Sequence, residues 1–188
     1  MGRTKTVSDE TLLDRLLGAI HDSGPGELTF SNASKAAGLA TATLVQRFGT
    51  RDAMIEAAML HAWDKLEAAT AAADSEVPEN AAGAVALLMR LMPVHAAPYN
   101  VTDGLSLLRE DMRNPALRER GRAWGDYLAM ALGRRLTDQT DIARKLGWQM
   151  ASVWQGALIW WGFTRDTKSE IQIQAMLEDW CRTASRNV

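Results

Sequence analysis

Apolar residues return every three or four positions along nearly the whole chain, and nowhere do apolar and polar residues alternate for long. The first spacing lines up side chains on one face of a helix, whereas strict alternation would line them up on a strand, so the chain is committed to helices packed on helices. Leu12, Leu13, Leu16, Leu17 and Ile20 form one such stripe, opened by Ser8-Asp9-Glu10 and stopped by Ser23-Gly24-Pro25-Gly26. Ser8 suits an N-cap, and the two carboxylates suit the positive end of the helix dipole. Thr29 can cap a short second helix running through Lys35 to Gly38, and Thr41 begins a third that carries Leu44 and Phe48 four residues apart. A long fourth helix is predicted from about Arg51 to Ala73, with Met54, Ile55, Ala58 and Met59 on its apolar side. Beyond a linker at 74–78, further helical patterns cover roughly 79–97, 102–113, 116–136, 139–164 and 168–185. Pro98, Asn114-Pro115, Thr137-Asp138 and Arg165-Asp166-Thr167 punctuate them, and Pro93 should kink or end the helix it falls in. The expected fold class is all-α, with about nine helices and no internal repeat.

Several kinds of chemistry are excluded by composition. With 188 residues, 47% of them hydrophobic and 23% charged, the chain is long enough and apolar enough to bury a core. Its one cysteine, Cys181, can form neither an internal disulfide nor a cysteine-based zinc site. The basic N-terminus lacks the apolar stretch of a signal peptide. The uncharged run from Leu146 to Thr164 is made too polar for a membrane span by Gln149, Ser152 and Gln155. A soluble, cytoplasmic protein is expected, without a membrane partner. His21, His61 and His95 are far apart and lack carboxylates at ligand spacing, so neither a metal nor a cofactor is expected. Glu110 and Asp111 point to different sides of a helix and read as a solvated face. With no phosphate loop and no nucleophile elbow, nothing supports an enzyme.

The most specific segment is Thr29 to Ile55. Two short helices joined at Gly38 and preceded by a longer one are the layout of a helix-turn-helix, whose last helix enters the major groove of DNA. Gly38 sits where a tight turn needs a residue without a side chain, and Leu39, Leu44 and Phe48 can close a small core against the leucines of the first helix. That leaves Thr41, Ala42, Thr43, Gln46 and Arg47 on the outward face of the third helix. The net charge of −2 argues against a nucleic-acid partner until it is divided: residues 1–51 hold six basic and five acidic groups, the remainder 15 and 18.

This segment resembles the TetR family of one-component transcriptional regulators. The resemblance is carried by the capped short helix, Ala37-Gly38-Leu39, Thr43-Leu44, Phe48, and Gly49-Thr50-Arg51-Asp52 opening a long helix. It implies a helix-turn-helix DNA-binding domain over 1–50 and an effector-binding and dimerisation domain over 51–188. It also implies base contacts from Thr41, Ala42, Thr43 and Gln46, and phosphate contacts from Thr29, Arg47 and Arg51. Thr and Gln can hydrogen-bond base edges, and the Ala42 methyl can meet a thymine methyl. Three positions depart from the family pattern. Val45 stands where an aromatic is usual, Ala33 replaces a larger aliphatic, and Ala40 replaces a polar cap, which should shift capping to Thr41.

The tryptophans are the second informative feature. Trp154, Leu158 and Trp161 share one face of the eighth helix, while Trp148 and Trp160 lie on others. A helix apolar on nearly all sides must be covered on nearly all sides, by a pocket on one side and a second subunit on another. The family resemblance implies a homodimer through the last two helices, reading a palindromic operator, and a cavity for a small apolar or aromatic effector. Candidate lining residues are Met89, Met92, Leu108, Met112, Trp124, Tyr127, Trp154 and Trp161, each of which can equally be ordinary core. Thr43 and Gln46 can equally be solvated helix surface, and Arg3 and Lys5 form a tail able to reach DNA. The expected function is a ligand-responsive repressor. The rival from another class is a helical small-molecule binding protein with a vestigial helix-turn-helix.

Overall fold

The computed structural model describes residues 7–92, 101–165 and 168–184. Arg3, Lys5, Pro93, His95 and Pro98, singled out above, lie outside them, as do Asp166 and Thr167. Among the described residues the chain forms nine α-helices, one 3-10 turn and no strand. The helices are α1 (Asp9–Ser23), α2 (Phe30–Ala37), α3 (Thr41–Phe48), α4 (Arg51–Glu76), α5 (Ala81–Arg90), α6 (Val101–Arg113), α7 (Pro115–Leu136), α8 (Thr140–Thr164) and α9 (Ser169–Ala184). The 3-10 turn, Pro25–Glu27, joins α1 to α2.

The chain divides into two compact units. The first comprises Met1–Lys65 with Thr102–Arg120, and the second Leu66–Val101 with Gly121–Val188, so α4 and α7 each supply residues to both. The expected boundary at residue 50 falls between α3 and α4, whereas the first unit also takes in the start of α4 and all of α6 after Val101. The reason lies in its core. Leu12, Leu16 and Ile20 of α1, Ala33 and Ala37 of α2 and Leu44 of α3 close against Met54, Ile55, Ala58 and Met59 of α4 and Leu117 of α7. Three short helices alone would leave that apolar surface in water.

Polar contacts fasten the same unit. Asp14 of α1 accepts from Lys65 Nζ at 2.7 Å and lies 3.0 Å from His61 Nε2, and these two partners hold its carboxyl below the usual range. Asp111 corrects the expectation of a solvated face: it is half-buried and accepts from the indole N–H of Trp63 at 3.0 Å. Burial pushes its carboxyl up against the pull of that hydrogen bond.

In the second unit, Leu87, Leu88, Leu128, Leu132, Met150, Trp154, Leu158, Ile173 and Leu177 form the core. Its polar centre is Arg135 of α7, whose side chain is fully buried. The guanidinium donates to the Asp74 carboxylate at 2.6 Å and to the carbonyls of Asp74, Pro78 and Ala131 at 2.7, 3.0 and 2.8 Å. A buried guanidinium is tolerated only when its donors are satisfied, and here Asp74 near the end of α4, Pro78 just beyond it and Ala131 one turn earlier in α7 supply the acceptors. That explains why α4 runs to Glu76 and the expected linker at 74–78 shrinks: Asp74 is a helical residue held by Arg134 and Arg135. Asn80 then caps α5 by accepting from the Gly83 N–H at 3.0 Å.

Helices α7 and α8 approach closely because Gly147 has no side chain. A Cβ there would lie 1.8 Å from the Ala129 carbonyl oxygen. Gly147→Ala must therefore push backbone apart, and a loss of about 1–3 kcal/mol or more is expected in urea unfolding. An unchanged midpoint would show that the two helices do not meet this closely.

Candidate nucleic-acid interface

Helices α2 and α3 have eight residues each, too few to be stable alone, so caps and packing decide whether they form. The Thr29 hydroxyl accepts from the Asn32 N–H at 3.2 Å and starts α2, while the Asn32 side chain reaches back to the Glu27 carbonyl at 2.9 Å. Gly38 ends α2 at φ 67°, ψ 33°, in the left-handed region where a β-carbon is costly. The N–H groups of Gly38 and Leu39 return to the Ser34 carbonyl at 3.0 and 3.3 Å, and the Ser34 hydroxyl donates to the Leu39 carbonyl at 2.6 Å. Arg15 of α1 adds a hydrogen bond to the Ala37 carbonyl. The turn is thus fixed from both sides.

Leu44 is fully buried, Leu39 and Phe48 are half-buried, and all three join the small core as expected. This orients α3 so that Thr41, Ala42, Thr43, Val45, Gln46 and Arg47 are exposed together. The expected shift of capping to Thr41 does not occur. Ala40 occupies the N-cap without a side-chain hydrogen bond, and Thr41 is the first helical residue. The Thr41 hydroxyl is therefore not occupied in capping α3, and the first turn is held by Thr43 N–H on the Ala40 carbonyl at 2.9 Å.

The basic residues are placed differently from the polar ones. Arg47 pairs with Asp9 at the start of α1. Arg51 donates through Nη2 to the Pro25 and Gly26 carbonyls, both at 2.7 Å, and through Nε to the Leu28 carbonyl at 2.8 Å. Lys35 is exposed at the end of α2. The carbonyl partners of Arg15 and Arg51 and the Asp9 partner of Arg47 lie 22 or more residues away in sequence, so no local pattern announces them.

Of the eight effector candidates, Met89, Met92, Trp124 and Trp154 meet in the core of the second unit, and the other four are not part of it. Leu108 and Met112 fall in the first unit, and Met112 is 60% exposed. In the second unit, Met92 and Trp154 are core residues, and Trp161 is half-buried. Trp124 donates to Thr70 Oγ1 at 2.9 Å, while Tyr127 is exposed and donates to Asp74 at 3.0 Å. Met89 lines a cleft of about 710 Å³ between α5 and α9, with Val85, Ala86, Arg90, Glu178 and Cys181. None of the other seven lines that cleft. Trp154 carries the one buried side-chain donor without a partner among the described residues, its indole N–H. Also among the described residues, no three His, Cys, Asp or Glu side chains are placed to hold a metal, and no helix is long and apolar enough to cross a membrane.

An exposed eight-residue helix behind a glycine turn, on an otherwise all-helical chain, is the architecture of a helix-turn-helix protein. Comparison with solved structures identifies the fold as that of the TetR-type transcriptional regulators. A transcriptional regulator from Rhodococcus sp. Rha1 superposes with a TM-score of 0.76 at 19% identity, over 96% of this chain and 97% of its own. A TetR transcription regulator from Haloarcula marismortui gives 0.74 at 16% identity, over 94% and 98%. A TetR-like regulator from Rhodococcus sp. RHA1 gives 0.65 at 16% identity, over 99% and 98%. No family model and no curated protein matches the sequence.

Thr29→Ala should lower stability by about 1 kcal/mol, because the Asn32 N–H loses its acceptor at the start of α2. Urea unfolding measures it, and a midpoint equal to that of the parent would remove Thr29 from the account of why α2 forms.

Proposed function

We propose that the protein is a DNA-binding transcriptional regulator that reads a palindromic operator as a homodimer in the cytoplasm. It acts as a repressor that lets go when a small apolar or aromatic effector binds. The observation that carries the DNA reading is the exposure of Thr41, Ala42, Thr43 and Gln46 on one short helix whose opposite side is fixed by Leu44. Hydroxyl, carboxamide and methyl groups on that face are the chemistry that base edges in the major groove accept. Thr29, with the backbone at the start of α2, and Arg47 complete the surface as phosphate-facing groups, Arg47 exchanging Asp9 for a phosphate when it does so.

A dimer is supported by large apolar side chains left uncovered on α8 and α9. Trp160 is 66% and Phe163 78% exposed, their rings 5.6 Å apart, and Ile171 and Met176 are exposed on the next helix. Such a patch marks an interaction surface. Two copies related by a two-fold axis also give two recognition helices for two half-sites. An effector site in the second unit is supported by the unpartnered indole N–H of Trp154, a buried donor able to meet one acceptor of an otherwise apolar ligand. Such a ligand represses binding only through unequal affinity for the DNA-competent and DNA-incompetent conformers.

Selection of bound fragments from genomic DNA, followed by gel shifts at low and moderate salt, tests the reading. A palindrome should be enriched, and Thr43→Ala and Gln46→Ala should relax base preference by about 1–3 kcal/mol per contacted pair while leaving the salt slope intact. The internal engagement of Arg47 and Arg51 is what favours the rival reading, a small-molecule binding protein with a vestigial helix-turn-helix. No enriched palindrome at any salt would sink the regulator reading. Phe163→Glu should shift the protein to a monomer in sedimentation and weaken operator binding more than tenfold, since one half-site is then read alone. A dimer that persists in this variant would place the subunit interface elsewhere.

A further inference from the structure

Arg51 was expected on phosphate, yet the Nε and Nη2 groups of its guanidinium already donate to protein carbonyls. The segment between α1 and α2 has five successive carbonyls, Gly24 to Leu28, and each is accounted for. Gly24 accepts from the Glu27 N–H at 3.2 Å, and Glu27 accepts from the Thr29 N–H and the Asn32 side chain, both at 2.9 Å. The remaining three, Pro25, Gly26 and Leu28, converge on Arg51 at 2.7–2.8 Å. The third guanidinium nitrogen, Nη1, faces Asp52 at 3.5 Å. A planar fork with fixed donor directions can gather three carbonyls in this way, whereas an ammonium is a single point of charge.

The placement of the clamp gives it a consequence. Arg51 is the first residue of α4, and that helix is anchored in the core of the unit by Met54, Ala58 and Met59. The clamped segment ends at Leu28, fully buried, directly before the Thr29 cap of α2. The entry angle of α2, and through Gly38 that of α3, is therefore set where Arg51 ties the segment to α4.

Resting on the DNA-binding reading above, we propose that Arg51 is a positioning residue for operator recognition. It contributes to specificity by holding the start of α2 in register with α4, and contributes no phosphate contact of its own. A phosphate contact acts on every sequence alike and on the salt dependence, whereas a positioning residue acts on the difference between the right sequence and the wrong ones.

Three full-length proteins, the parent, Arg51→Lys and Arg51→Ala, separate these roles. Each is titrated at several salt concentrations with the palindromic duplex enriched by the parent and with a scrambled duplex of the same length and composition. Helicity and the folded fraction are checked by circular dichroism in the same buffers. The expected result is that both variants lose affinity for the palindrome about tenfold, with an unchanged salt slope and unchanged affinity for the scrambled duplex. Lysine does not rescue, because charge without the fork leaves the carbonyls ungathered. A salt slope flattened by about 1 in Arg51→Ala and restored in Arg51→Lys would make Arg51 a phosphate contact and overturn the proposal. Parental affinity in both variants would reduce the clamp to a purely stabilising role and also overturn it. Should Arg51→Ala fail to fold, the lysine variant decides alone, since the two readings predict opposite results for it. If the parent enriches no duplex at all, the DNA-binding reading itself has failed.

Discussion

An eight-residue helix cannot sustain itself in water, because the entropy of fixing its first turn exceeds what one or two further hydrogen bonds return. That constraint governs the whole first unit. Helix α3 exists because Leu44 is driven into the core formed by Leu12, Leu16 and Ile20, and α2 exists because Ala33 and Ala37 are small enough to let that core close around them. The exposed face of α3 can carry polar side chains because its buried face anchors the helix. The buried residues thus determine where the exposed residues of α3 stand.

The second unit meets the opposite problem. Its helices are long enough to form readily, and what must be specified is how they meet. Two devices do this. At Gly147 the absent side chain lets backbone touch backbone, which a generic apolar stripe would not permit. At Arg135 a buried guanidinium has acceptors only if the end of α4 and the following turn lie where they do. Misplaced, it would leave a charge without partners in a low-dielectric interior, so the arrangement excludes alternatives that apolar packing alone would tolerate.

What the sequence reveals follows the reach of each interaction. Periodicity, the Ser8 and Thr29 caps and the Gly38 turn are legible because cause and effect lie within a few residues, and the helix limits from α6 to α9 fall close to expectation for the same reason. The outward face of α3 is legible as the complement of Leu44 and Phe48. Contacts between distant positions are not legible. Asp74 reads as part of a linker until Arg134 and Arg135 hold it in a helix, and Asp111 reads as solvated until Trp63 covers it. Arg51 reads as free charge until three carbonyls claim it. The division of the effector candidates between the two units has the same origin: a Met or Trp at helical spacing is marked as apolar surface to be covered, and its spacing says nothing about which neighbours cover it.

The pairing of Arg47 with Asp9 changes what charge counting means for this protein. Asp9 stands to Arg47 as a backbone phosphate of DNA would, so the head carries an internal counter-ion in place of one drawn from solution. On the DNA-binding reading proposed above, a phosphate at this position would replace a carboxylate already in place, so fewer solution ions would be released than at a free arginine. Random duplex gains little from such an exchange. Six basic and five acidic residues in the first 51 therefore overstate the charge that this part of the chain presents outward at Arg47.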